Sequence, residues 1–224
     1  ELREDFRLNG DKIKVIYDGI EFPDTNEITP VPVEPGINTV GVISRLDSNK
    51  GLECFIDAAR LILKKRNNIK FIIIGTGRIE GELKQKVKEY NITDKIIFTG
   101  FTSEKEKYNI LPALDITVVP SAQEGIARSS LESMSFSKPV VATTTSSISE
   151  IITDNFSGVL VEPYSPEKLA DGILRLLNSD FRQMGARARK VIEDKFSVQS
   201  FISSYEQLYN ELLKVNFDTN KSFL

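Results

Sequence analysis

The chain contains no histidine, and that absence removes both the commonest general base and the commonest zinc ligand. It carries one cysteine, Cys54, so no disulfide can close within it. Cys54 falls on the apolar side of a predicted helix, where packing is expected rather than chemistry. No apolar run approaches the roughly 18 residues that a membrane helix needs, so no transmembrane segment is expected. The opening Glu1-Leu2-Arg3-Glu4-Asp5 is charged and does not read as a signal peptide. A cytoplasmic location follows as an expectation. Basic excess is missing too: 29 Lys and Arg face 32 Asp and Glu. A dedicated nucleic-acid binder should show a basic footprint, so no nucleic-acid partner is expected. No G-x-x-x-x-G-K-[ST] run occurs, which excludes a P-loop.

What remains is 224 residues with 40% apolar and 27% charged content, the composition of a soluble globular protein of one or two domains. Lys12–Tyr17 reads as a strand. Pro23, Pro30, Pro32 and Pro35 make residues 23–36 too proline-rich for a helix and predict an extended linker. A β–α alternation follows. Thr39–Ser44, Phe71–Ile74, Lys95–Thr99, Asp115–Val119, Val140–Thr143 and Val159–Val161 read as short strands. Leu52, Phe55, Ile56, Ala59 and Leu63 recur at helical spacing after the first. Glu80–Tyr90, Ser103–Leu114, Ser129–Phe136, a helix opening at Pro166, Phe181–Asp194 and Val198–Leu212 read as further helical segments. Short β-branched strands alternating with helices predict an α/β fold with a Rossmann-like, doubly wound parallel sheet. Such sheets bind ligands beyond the carboxyl ends of their strands.

The most informative stretch lies at one such end. Glu124-Gly125-Ile126-Ala127-Arg128-Ser129-Ser130-Leu131-Glu132 sets two carboxylates eight positions apart around a strand-to-helix turn. Helical geometry puts them up to ~12 Å apart, with a helix N-terminus and its free amides between them. That arrangement suits a ligand with two polyhydroxyl ends and an anionic middle, the shape of a nucleotide sugar. After the first strand, Arg45 and Lys50 flank a turn that opens a helix. A guanidinium binds phosphate in bidentate fashion, and an ammonium adds a mobile point charge. Gly75-Thr76-Gly77 invites a dinucleotide reading, but the third glycine of G-x-G-x-x-G would fall at Glu80. The next strand ends Phe98-Thr99-Gly100, without the acid that holds an adenosine ribose. An NAD(P)-dependent oxidoreductase therefore rests on fold analogy alone.

Taken in order, the segments Ser44-Arg45-Leu46 with Lys50-Gly51-Leu52, Ile74-Gly75-Thr76-Gly77, Phe98-Thr99-Gly100-Phe101, Ala113 to Ser121, Glu124 to Glu132 and Lys138 to Thr143 form a consistent series. Glu150-Ile151-Ile152 and Ser157 to Val161 complete it. The series resembles the C-terminal half of a retaining GT-B glycosyltransferase of family 4, the group 1 glycosyltransferases, over residues 39 to 212. Lys12 to Glu21 resembles the last strand of that family's N-terminal domain, with Asp18 where asparagine is usual. Ser137 and Ser146-Ser147 stand where glycines are frequent, and Arg128 where many members carry a small or apolar residue.

The resemblance implies a division into residues 1–22 as an acceptor-domain remnant, 23–36 as linker, 37–195 as the nucleotide-sugar domain, 196–214 as a C-terminal helix and 215–224 as a tail. It implies that Arg45 and Lys50 bind the donor diphosphate and that the amides of Gly125, Ile126 and Ala127 complete the phosphate cradle. Glu132 would accept from the ribose hydroxyls, and Glu124 would sit at the transferred sugar as the catalytic carboxylate. Gly77, Gly100 and Phe101 would border the donor. No cofactor or metal is expected, since the fold generally needs none and no D-x-D cluster stands at a strand end. The implied partners are a nucleotide sugar, an N-terminal domain and an acceptor that is a glycan or a lipid-linked sugar, with peripheral membrane contact through that domain. The 224 residues alone are expected to bind donor without transferring sugar. The alternative is a stand-alone nucleoside-diphosphate-binding module.

Overall fold

The computed structural model describes residues 13–122, 127–144 and 147–221. Two compact units emerge, Phe22–Ile192 and a second formed by Glu1–Glu21 with Glu193–Leu224. The larger unit carries six strands among the described residues: β1 (Asn38–Ile43), β2 (Ile69–Ile74), β3 (Ile96–Gly100), β4 (Ile116–Val119), β5 (Val140–Thr143) and β6 (Gly158–Val161). They form one parallel sheet in the order β3-β2-β1-β4-β5-β6. Strand order reverses between β1 and β4, where Val40 pairs with Ile116 and Val42 with Val118. The expected doubly wound sheet is thus present, with its topological switch point between those two strands.

Helices cover both faces, and the central strands β4 and β5 are accordingly buried at every position. On one face, α1 (Leu52–Leu63), α2 (Glu80–Glu89) and α6 (Pro166–Leu177) bury Phe55, Ile56, Leu83, Val87, Leu169 and Ile173 against the sheet. Phe55 and Phe71 meet edge to face with centroids 5.7 Å apart. Full burial of each such side chain contributes about 1.5–3 kcal/mol. The other face centres on Ile74, Leu111 and Leu114, with Tyr108 and Phe136 packed against them. Between these elements lie α3 (Glu104–Ile110), α4 (Arg128–Ser135) and the short α5 (Ile148–Ile151). α7 (Phe181–Lys195) and α8 (Val198–Lys221) follow.

Cys54 packs half-buried against the core, and burial pushes its thiol up to about 11, with Asp57 and Glu167 adding to the shift. Three local expectations change. Lys12 lies outside the described residues, and residues 13–17 pair with no strand among the described residues: Val15 is 68% exposed, Tyr17 packs on Phe196 just before α8, and Lys14 pairs with Glu211 of α8. A strand needs a ladder partner, and the ladder here shrinks to a single bridge between Ile20 and Ser197. The predicted helix Ser103–Leu114 gives way after Ile110 to a 3-10 turn, Leu111–Ala113, because Pro112 has no N–H to continue the α pattern. The last helix runs to Lys221 rather than to Leu212. No helix among the described residues is long and apolar enough to cross a membrane.

Candidate functional site

The loops at the carboxyl ends of β1 and β2 are laced together. Leu46 N–H donates to the Thr76 carbonyl at 3.0 Å, and Ile79 N–H donates to the Leu46 carbonyl at 3.0 Å. Their closeness depends on Gly77, where a Cβ would lie 2.4 Å from the Leu46 carbonyl oxygen and 2.5 Å from its nitrogen. Leu46 itself is fully buried. A second close approach joins the β1 loop to the β4 loop across the switch point. Gly51 adopts φ +68°, and a Cβ there would stand 2.0 Å from the Pro120 carbonyl oxygen. Only glycine combines that backbone with that contact.

Between the first two loops lies a cleft of about 570 Å³, lined by Arg45, Asp47, Ser48 and Asn49 on one side and by residues 76–79 on the other. Arg45 is 77% exposed and lies 3.4 Å from Asp47. Arg78 adds a second exposed guanidinium to the lining. Thr76 donates to Glu80, whose carboxyl is held below its ordinary value first by the Lys84 hydrogen bond and then by Thr76. Lys50 closes the 3-10 turn Ser48–Lys50 just before Gly51 and is half-buried.

Beyond β4, the chain enters α4 from Ala127, which is buried. Glu132, one turn in, is only 7% exposed. Its Oε1 accepts from Lys107 Nζ at 2.8 Å and lies 3.7 Å from Arg128 Nε. Ser130, in the first turn, is fully buried, and its hydroxyl has no hydrogen-bond partner among the described residues. At the end of β3, Gly100 accepts from the Gly75 N–H at 3.1 Å, and Phe101 projects 80% exposed. Among the described residues, no group of three or more Cys, Asp or Glu side chains could hold a metal ion.

A cationic cleft and a buried carboxylate at the carboxyl ends of a doubly wound sheet fit many nucleotide-binding chemistries. Sequence comparison decides the family, since residues 25–193 match the model of the glycosyl transferases group 1. The chain belongs to the group 1 glycosyl transferases. It is 32% identical over 174 residues to a poly(ribitol-phosphate) α-N-acetylglucosaminyltransferase of Staphylococcus aureus, covering 76% of this chain and 35% of that protein. The chain spans about a third to just over half the length of the curated relatives it matches. A TarM mutant from S. aureus, solved with fondaparinux, α-GlcNAc-glycerol and UDP, superposes with a TM-score of 0.76 at 28% identity over 92% of this chain and 41% of that one. The C-terminal domain of a group 1 glycosyl transferase (LpcC) from Francisella tularensis superposes with a TM-score of 0.69 at 30% identity. That match covers 79% of this chain and 99% of that domain.

Membership in the group 1 glycosyl transferases agrees with setting the oxidoreductase reading aside, and the geometry shows what the two glycines do. Gly75 and Gly77 follow β2, not the first strand, and they press on the backbone of Ser44 and Leu46. Of the expected site residues, the structure gathers Arg45 and Gly77 at the cleft and places Lys50 at the root of the same loop. Glu132 stands on α4 and Ala127 at its N-cap, while Gly100 ends β3 and Phe101 follows it. Glu124, Gly125 and Ile126 lie outside the described residues. Two residues at the site were not read from the sequence, Arg78 and Lys107. Arg78 had a local signal, being next to the Gly75-x-Gly77 turn. Lys107 had none, because 25 residues separate it from Glu132.

Proposed function

We propose that the Phe22–Ile192 unit binds the nucleoside diphosphate moiety of a sugar donor, and that the protein transfers that sugar with retention of anomeric configuration. The cleft with Arg45 on its wall, beside the β1–β4 switch point, carries the reading. Arg45 and Lys50 supply positive charge and N–H donors to the diphosphate, which is what a departing nucleoside diphosphate requires. The amides at the start of α4, Ala127 included, extend the phosphate cradle. Glu132 accepts from the vicinal ribose hydroxyls, and Glu124 orients the transferred sugar and stabilises charge near its reacting carbon. Gly100 and Phe101 border the base. That the similar TarM mutant was solved with UDP supports a nucleotide as ligand.

The acceptor on this reading is a glycan or a lipid-linked sugar, held by a facing wall beyond these 224 residues. Without it the acceptor is not fixed in attack geometry, and gains of order 7–11 kcal/mol are lost. The test measures nucleoside diphosphate release from UDP-, GDP- and ADP-sugars, with and without acceptor glycans, and reads the product anomer by NMR. Retention with acceptor-dependent release from a chain that includes the facing wall supports the reading. Inversion of configuration, or rapid acceptor-dependent turnover by residues 1–224 alone, contradicts it.

A further inference from the structure

The Lys107–Glu132 contact joins two elements that are far apart in sequence. Lys107 belongs to α3, which a capping box fixes: the Ser103 hydroxyl accepts from the Glu106 amide, while the Glu106 carboxylate accepts from the Ser103 amide. The neighbouring Tyr108 packs its ring on Phe136, at the end of α4, with centroids 5.4 Å apart. Lys107 therefore reaches α4 from a supported platform. Its side chain is 17% exposed and that of Glu132 is 9% exposed. The second cation, Arg128, is 71% exposed and 3.7 Å away, a geometry whose worth is small because solvent screens it.

Lys107 bonds Oε1, which is also the oxygen nearest Arg128. Oε2 accepts no hydrogen bond from the described residues. A buried carboxylate tied at one oxygen is restricted to few rotamers, and its second oxygen is offered in a fixed direction.

We infer that Lys107 is a positioning residue for nucleotide recognition. It holds Glu132 by Oε1 so that Oε2 accepts from the ribose hydroxyls of the donor. The inference rests on the donor-site reading given above and adds a residue that touches no part of the nucleotide. Its signature is a loss confined to the ribose. Removing Lys107 leaves Glu132 with one screened partner and free to turn, so hydroxyl recognition weakens while diphosphate binding persists. A purely structural salt bridge would instead lower stability and affect all ligands alike.

The test titrates UDP, GDP and ADP, each beside its 2′,3′-dideoxy analogue, into the full-length protein by calorimetry. Lys107→Met, which keeps the aliphatic stem, is expected to weaken the best ribonucleotide about tenfold, the equivalent of losing one charge-assisted contact. The dideoxy analogue should lose less than about twofold. Lys107→Arg should recover most of the ribonucleotide affinity, and Arg128→Ala should change little. In a Glu132→Gln background, Lys107→Met should add no further loss, as a double-mutant cycle requires of one coupled pair. If Lys107→Met unfolds during titration, Lys107→Gln carries the same expectation. An unchanged ratio of ribonucleotide to dideoxy affinity in the Lys107 variant overturns the inference while leaving the donor site standing. A wild-type protein that binds none of the three diphosphates overturns both.

Discussion

Replacing Gly77 by alanine probes a close backbone contact at the cleft. The backbone of Gly77 does not lie in the left-handed region, so alanine brings a steric cost without conformational strain. The new methyl would sit 2.4 Å from the Leu46 carbonyl oxygen, 2.5 Å from its nitrogen and 2.6 Å from its carbonyl carbon. None of these is a flexible side-chain end, so the two loops must separate. Overpacking of this kind costs about 1–3 kcal/mol. Separation also weakens the two interloop hydrogen bonds of Leu46, each worth about 0.5–1.5 kcal/mol. Together the variant should lose about 2–6 kcal/mol, a drop in Tm of roughly 4–24 °C for a unit of this size. Arg45 precedes Leu46 directly, so nucleoside diphosphate affinity should fall as well. Thermal denaturation with and without UDP, GDP or ADP reads both effects. A Tm within about 1 °C of wild type, with unchanged nucleotide affinity, would refute the claim that Gly77 sets the cleft by close approach.

Glu132→Gln preserves size but replaces an ionic acceptor by a weaker one, so the loss should be larger for a ribonucleoside diphosphate than for its 2′-deoxy analogue; equal losses in calorimetry would remove Glu132 from the ribose. Cys54 should resist iodoacetamide at pH 8, because a thiol raised from 9.0 to about 11 has a thiolate fraction lower by about two orders of magnitude. Its contribution to stability is complete below about pH 9, where the unfolded thiol is still protonated, and declines as pH rises towards about 11. Alkylation of the native protein as fast as of the unfolded chain would contradict the packed position.

Much of the larger unit was legible because its signals are local. Short apolar runs such as Phe71–Ile74 announce strands of a covered sheet, and the spacing of Leu52, Phe55, Ile56 and Ala59 announces the helix that covers them. The cations of the β1 loop could be placed because a strand end and a helix start bracket them within eight residues. The misread strand at Lys12–Tyr17 shows the limit: alternation says a segment can pair, not that a neighbour is present. What the glycines do was half legible. Gly75-x-Gly77 marks a tight backbone, but only the fold shows that Leu46, not a ligand, occupies the space a side chain would need. The Lys107–Glu132 pair was not legible, because the crossover from β3 to β4 brings α3 to α4 and no spacing rule spans it.

The central claim, that the cations of the β1 loop receive a diphosphate, is tested most directly by one titration series. Wild-type protein, Arg45→Ala and Lys50→Ala are each titrated with UDP, GDP, ADP, the three nucleosides and NAD. The account predicts saturable binding of at least one nucleoside diphosphate, weaker binding of its nucleoside and of NAD, and a loss of about 1.5–3 kcal/mol in each variant for the diphosphate alone. Exposed Arg45 should leave folding stability nearly unchanged when removed, so the loss cannot be attributed to unfolding. Equal losses for nucleoside and diphosphate, or NAD binding as tight as that of any diphosphate, would contradict the account.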